Sequence, residues 1–90
     1  MNNINNASEF RIAAENAGAE DIYNDGSQEF SMFEDDGNFF IEQFGLRACF
    51  DIGQFIEGYK SMPRSRFNRV ANKALSSMGY SIRYNEQGTV

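Results

Sequence analysis

A chain of ninety residues is the length of one domain, expected to span residues 1–90 with 1–5 flexible. It has no His and a single Cys, Cys49, which excludes Ser-His and Cys-His nucleophilic pairs, an ordinary zinc site and an internal disulfide. The net charge of −5 hides a partition: residues 1–57 carry twelve acids against Arg11 and Arg47, whereas residues 58–85 carry six cations and no acid.

The first helix is predicted from Asn6 or Ser8, with Asn6 as its cap and Glu9 three residues on, as in a capping box. Phe10, Ala13, Ala14 and Ala17 then share one helical face, and Gly18 ends the element. Ala19 to Gln28 reads as a loop with a turn at Asn24-Asp25-Gly26-Ser27. The segment "QEFSMFEDDGNFFIEQF" then reads as a hairpin, because two aromatic runs flank Asp36-Gly37, a two-residue type I′ turn signal. That turn pairs Asp35 with Asn38, Glu34 with Phe39, Phe33 with Phe40, and Met32 with Ile41. One face then holds Phe30, Met32, Phe39 and Ile41; the other holds Phe33, Phe40 and Phe44 among Glu29, Ser31 and Glu42.

Gly45 permits a tight bend, and Leu46, Ala48 and Phe50 alternate with Arg47 and Cys49 as a third strand. Asp51 is expected to cap a second helix with Ile52, Phe55, Ile56 and Tyr59 on its apolar face. Pro63 suits the first turn of a third helix, which Gly79 ends. Tyr80, Ile82 and Tyr84 alternate with Ser81 and Arg83 as a closing strand. The expected fold is α+β in the order α-β-β-β-α-α-β, an antiparallel sheet with helices mainly on one face.

Two surfaces are candidates for function. On the third helix, spanning 63–78, Phe67, Val70, Ala71, Ala74, Leu75 and Met78 gather on one side, and Arg66, Arg69 and Lys73 line up beside them. With Arg64 and Arg83, this stripe suits phosphate or an acidic protein. It equally suits a solvated face, or ion pairs with the chain's own acidic half. The second surface is the hairpin, where Phe33, Phe40 and Phe44 with Glu42 and the acidic tip at Asp35 and Asp36 have the make-up of a partner-binding patch. The alternatives there are a covered sheet face and ordinary turn chemistry.

Other chemistry finds little footing. Asp21, Asp25 and Gly26 touch the calcium-loop spacing, but Tyr23 stands where an oxygen ligand is needed and Met32 where the bidentate Glu belongs. The glycines form neither a phosphate-binding loop nor a dinucleotide fingerprint, so no cofactor, no metal and no catalytic residue is expected. Cys49 on an apolar strand reads as a small buried side chain. No apolar stretch approaches the roughly 20 residues of a membrane span, and no charged segment precedes an apolar run as in a secretory leader. A cytoplasmic setting is expected.

By size, acid load and the "FEDDGNFF" hairpin, the chain resembles, as a class, the small acidic proteins that phages encode to inhibit host defence, including anti-CRISPR proteins. The resemblance implies a non-enzymatic inhibitor acting in the host cytoplasm on a protein or ribonucleoprotein partner. The hairpin's own aromatic and acidic make-up makes Phe33, Asp35, Asp36, Phe40, Glu42 and Phe44 the expected contacts. A homodimer is a further possibility. The alternative expectation is a nucleic-acid-binding module that uses Arg64, Arg66, Arg69 and Lys73.

Overall fold

The computed structural model describes residues 4–54 and 64–84. Helix α1 (Ala7–Asn16) is followed by β1 (Asp21–Asn24), β2 (Ser31–Asp35), β3 (Asn38–Gln43) and β4 (Leu46–Asp51). A short 3-10 turn (Ile52–Gln54) and helix α2 (Arg64–Ser77) complete the described elements. The result is an α+β fold with a four-stranded antiparallel sheet in the order β1-β4-β3-β2.

Local chemistry explains where the helices begin and end. The Asn6 side chain accepts a hydrogen bond from the Glu9 amide at 2.9 Å, and the Glu9 carboxylate reaches back to the Asn5 amide at 2.7 Å. Both helices close in a Schellman motif. In α1 the Ala19 amide donates to the Ala14 carbonyl, and in α2 the Tyr80 amide donates to the Leu75 carbonyl. Each motif needs one left-handed residue, supplied by Gly18 (φ 96°) and Gly79 (φ 94°).

The β2–β3 hairpin has the expected register throughout, from Asp35 opposite Asn38 to Met32 opposite Ile41. Its turn residues Asp36 and Gly37 both have positive φ, 50° and 88°. The β3–β4 turn repeats the device at Phe44 (φ 58°) and Gly45 (φ 79°). A bulky aromatic in this region is strained. Backbone hydrogen bonds from the preceding loop brace it: Phe44 N–H donates to the Gln28 carbonyl, and Gly45 N–H to that of Ser27.

Strand alternation sorts the sheet into two faces. Phe39, Ile41, Leu46, Ala48 and Phe50 turn to one side and are buried there with Phe10 and Ala14 of α1 and with Phe67, Ala71, Ala74 and Leu75 of α2. Both helices therefore lie on the same face. Ile52, fully buried, joins the core just past β4.

Three elements differ from expectation. The segment read as a loop contains β1, paired with β4 from Asp21 opposite Cys49 to Asn24 opposite Leu46. Only Ile22 of β1 is turned into the core, so backbone pairing defines this strand and no apolar alternation betrays it. The helix expected after Asp51 begins instead as the 3-10 turn, whose Gly53 amide the Asp51 carboxylate accepts at 2.9 Å. Phe55, Ile56, Tyr59 and Pro63 lie outside the described residues. The closing strand does not form: Tyr80 is buried, but Ile82 is 39% exposed, so the two do not share the face that a strand requires. This segment lies beside α2, where Asn72 Nδ2 donates to the Tyr84 carbonyl at 3.2 Å and Asn72 Oδ1 accepts from the Tyr84 amide.

Candidate functional site

The face of the sheet turned away from the helices is built in cross-strand rows. Ser31, Glu42, Arg47 and Tyr23 form one row across β2, β3, β4 and β1. Phe33, Phe40, Cys49 and Asp21 form the next, and Asp35, Asn38 and Asp51 the third. Side chains opposite one another sit about 4.5–5.5 Å apart, close enough to act together.

Arg47 is the hub. Its guanidinium carbon lies 5.8, 5.3 and 6.0 Å from the ring centroids of Tyr23, Phe33 and Phe40. Phe33 and Phe40 stack on each other at 4.8 Å with their planes 13° apart. The guanidinium also binds the Glu42 carboxylate at 2.5 Å through both Nε and an Nη, and Arg47 Nε lies 3.5 Å from Asp25 Oδ2. The Glu42 and Asp25 side chains are 8% and 7% exposed, against 32% for Arg47. Asp25 Oδ1 accepts the Ser27 amide, whereas Oδ2 has only the charge of Arg47 beside it and no hydrogen bond. The hydrogen bond to Tyr23 does most to raise the Arg47 pKa above its ordinary value; desolvation opposes the rise and Glu42 adds to it.

The residues singled out from the hairpin separate here. Phe33 and Phe40 form the half-exposed centre of the face, and Asp35 and Asp36 are exposed at its end. Glu42 is not part of an acidic surround: it is 6% exposed and committed to Arg47. Phe44 leaves the face at the β3–β4 turn and packs against the core. Tyr23, Arg47 and Asp25 are the residues that sequence reasoning missed. The Arg47–Glu42 pairing follows from the β3–β4 register, but Tyr23 depends on the unrecognised strand β1.

The basic residues of α2 lie elsewhere. Arg64 opens the helix, and Arg66, Arg69 and Lys73 are exposed along it. Among the described residues no ion pair joins Arg66, Arg69 or Lys73 to a carboxylate; both ion pairs found there belong to Arg47.

Reactive chemistry finds no focus among the described residues. They hold no group of three or more Cys, Asp or Glu placed to bind a metal ion. Cys49 is buried, and burial, with Glu20, Asp21 and Asp51 nearby, pushes its thiol pKa up, away from the nucleophilic thiolate. A cleft of about 160 Å³ is lined by Phe30, Gln43, Tyr80, Ser81 and Ile82, where the Tyr80 hydroxyl donates to Gln43 Oε1 at 2.7 Å. No described helix is long and apolar enough to cross a membrane. Comparison with family models, with curated proteins and with solved structures finds no match to this chain.

Proposed function

We propose that this is a non-enzymatic binding protein that seats the open face of its sheet on a basic surface of a protein or ribonucleoprotein and blocks it. One observation carries the reading. Helices α1 and α2 pack on one side of the sheet, and the other side presents Tyr23, Phe33 and Phe40 gathered around Arg47, with Phe33 and Phe40 stacked on each other. Rigid aromatics and an arginine are the residue types that dominate binding energy at the centre of interfaces. Around them stand Asp21, Asp35 and Asp51, and among the described residues this face carries more carboxylates than its one cation, Arg47, balances. That charge suits a Lys- and Arg-rich partner and steers its approach. It also disfavours a second copy of the chain meeting this one face to face. An acidic surface of this kind can occupy a basic groove in place of nucleic acid, and an inhibitory outcome agrees with the class resemblance to phage anti-defence proteins.

The test is affinity capture from the native host with the wild-type chain and with a Tyr23→Ala, Phe33→Ala variant. Both side chains are partly exposed, so the variant keeps its core, which circular dichroism checks. A basic protein or ribonucleoprotein retained by the wild type and lost by the variant is the expected result. Equal recovery by both, or recovery of the chain's own dimer alone, removes the proposal.

A further inference from the structure

We propose that the exposed side of α2 is a second, independent binding site, for the phosphate backbone of a nucleic acid. Arg66, Arg69 and Lys73 recur at i, i+3 and i+7, and all three are exposed. In a chain of net charge −5 with thirteen carboxylates, cations would ordinarily find acids. Arg47 does, binding Glu42 beside Asp25, whereas these three make no ion pair with a carboxylate among the described residues. The sequence from Arg64 to Tyr84 contains five cations and no Asp or Glu. Nothing within that stretch repels an anion.

A fourth cation lies on a segment tied to the same helix. The Asn72 side chain bonds both the amide and the carbonyl of Tyr84, and Tyr84 is further held by its ring contacts with Phe39 and Phe67. This holds the segment that carries the exposed Arg83 against α2 at Asn72. The clamp ties the segment that carries Arg83 to the helix that carries the stripe.

The spacing favours a nucleic-acid strand. At 1.5 Å per residue, the stripe from Arg66 to Lys73 spans about 10 Å. A duplex carries one phosphate per strand for about every 3.4 Å of its axis, and the long Arg and Lys side chains let each of the three cations meet a separate phosphate. A membrane surface fits less well. A helix lying in the interface inserts its apolar face, and that face of α2 is spent on the core, with Phe67 and Leu75 at 1% and 0% exposure. An irregular acidic protein surface offers no matching repeat and no release of condensed counterions to offset the chain's own negative charge. The stripe points away from the sheet, on the far side of the molecule from the aromatic face, so each site can fail without the other.

The experiment is fluorescence anisotropy with a labelled single-stranded oligonucleotide and its duplex, titrated from about 20 to 200 mM salt. The expected result is binding at low salt that weakens with a log–log slope of roughly −2 to −4, as three or four phosphate contacts require. Combined Arg66→Ala, Arg69→Ala and Lys73→Ala should weaken binding at least about tenfold at low salt and flatten the slope by about 2. The charge-preserving Arg66→Lys, Arg69→Lys variant should retain binding, and Tyr23→Ala, Phe33→Ala should leave it unchanged. No anisotropy change at about 100 µM protein and low salt overturns the proposal. So does binding that survives the triple substitution. Equal affinity and salt slope with polyglutamate or with phosphatidylserine vesicles also overturns it, and reassigns the stripe to an acidic protein or an anionic membrane.

Discussion

Arg47 shows how much of a surface one side chain can organise. Its planar guanidinium meets three rings and two carboxylates at once, which a lysine ammonium cannot reproduce. Because Glu42 and Asp25 are almost wholly covered, removing their counter-charge leaves two carboxylates with little water to replace it. Arg47→Ala is therefore expected to cost about 3 kcal/mol in denaturant unfolding, as breaking a buried pair does. Adding Glu42→Gln and Asp25→Asn should return much of that loss. A cost below about 1 kcal/mol would instead place the cluster with solvated surface ion pairs. The sequence displayed every member of the cluster, and Phe33, Phe40 and Glu42 were legible as neighbours from the hairpin alone. Arg47 and Asp25 were not, because they join the others through strand register and a loop return. Phe44 was misplaced for a related reason: its positive φ takes it out of the strand alternation that had put it beside Phe40.

Among the elements, those with a chemical punctuation mark were readable. The Asn6–Glu9 cap, the Asp36-Gly37 turn and Gly79 each fix a boundary by local bonding, and α1, the hairpin and the end of α2 follow. Strand β1 has no such mark; its existence rests on the neighbouring β4. The Tyr80–Tyr84 segment carries the opposite lesson. Its alternation mimics a strand, yet its hydrogen bonds go to a side chain, Asn72, and no strand partner takes them. That difference can be measured. Asn72→Ala removes two hydrogen bonds and should cost about 1–2 kcal/mol. In hydrogen exchange, the Tyr84 amide should lose its protection while the amides of α2 keep theirs. An unchanged Tyr84 amide would mean that ring packing on Phe39 and Phe67 holds the segment without the clamp.

At the scale of the whole molecule, the charge partition visible in the sequence becomes in part a partition between sides, with Glu9 and Glu15 of α1 on the side of α2. The carboxylates of the open sheet face and the cations of α2 are separated by the core, so the basic stripe does not neutralise that face. Tyr80 bridges the two halves. It follows α2, its ring rests on Phe30 at 4.9 Å, and its hydroxyl donates to Gln43 on β3. Burial pushes its pKa far above the ordinary tyrosine value near 10. The folded protein therefore keeps this proton at a pH where the unfolded chain gives it up. Stability from Tyr80 is complete below about pH 10 and falls as pH rises beyond it, by about 1.4 kcal/mol per unit. Tyr80→Phe removes that dependence but forfeits the bond to Gln43, about 1 kcal/mol at neutral pH. The two stability curves should run parallel up to about pH 10, converge above it and cross within about one further unit. Contributions common to both proteins cancel in the difference. If the gap between wild type and variant stays constant through about pH 11, the Tyr80 hydroxyl is not withheld from water, and the tie between the end of α2 and the sheet is weaker than its geometry indicates.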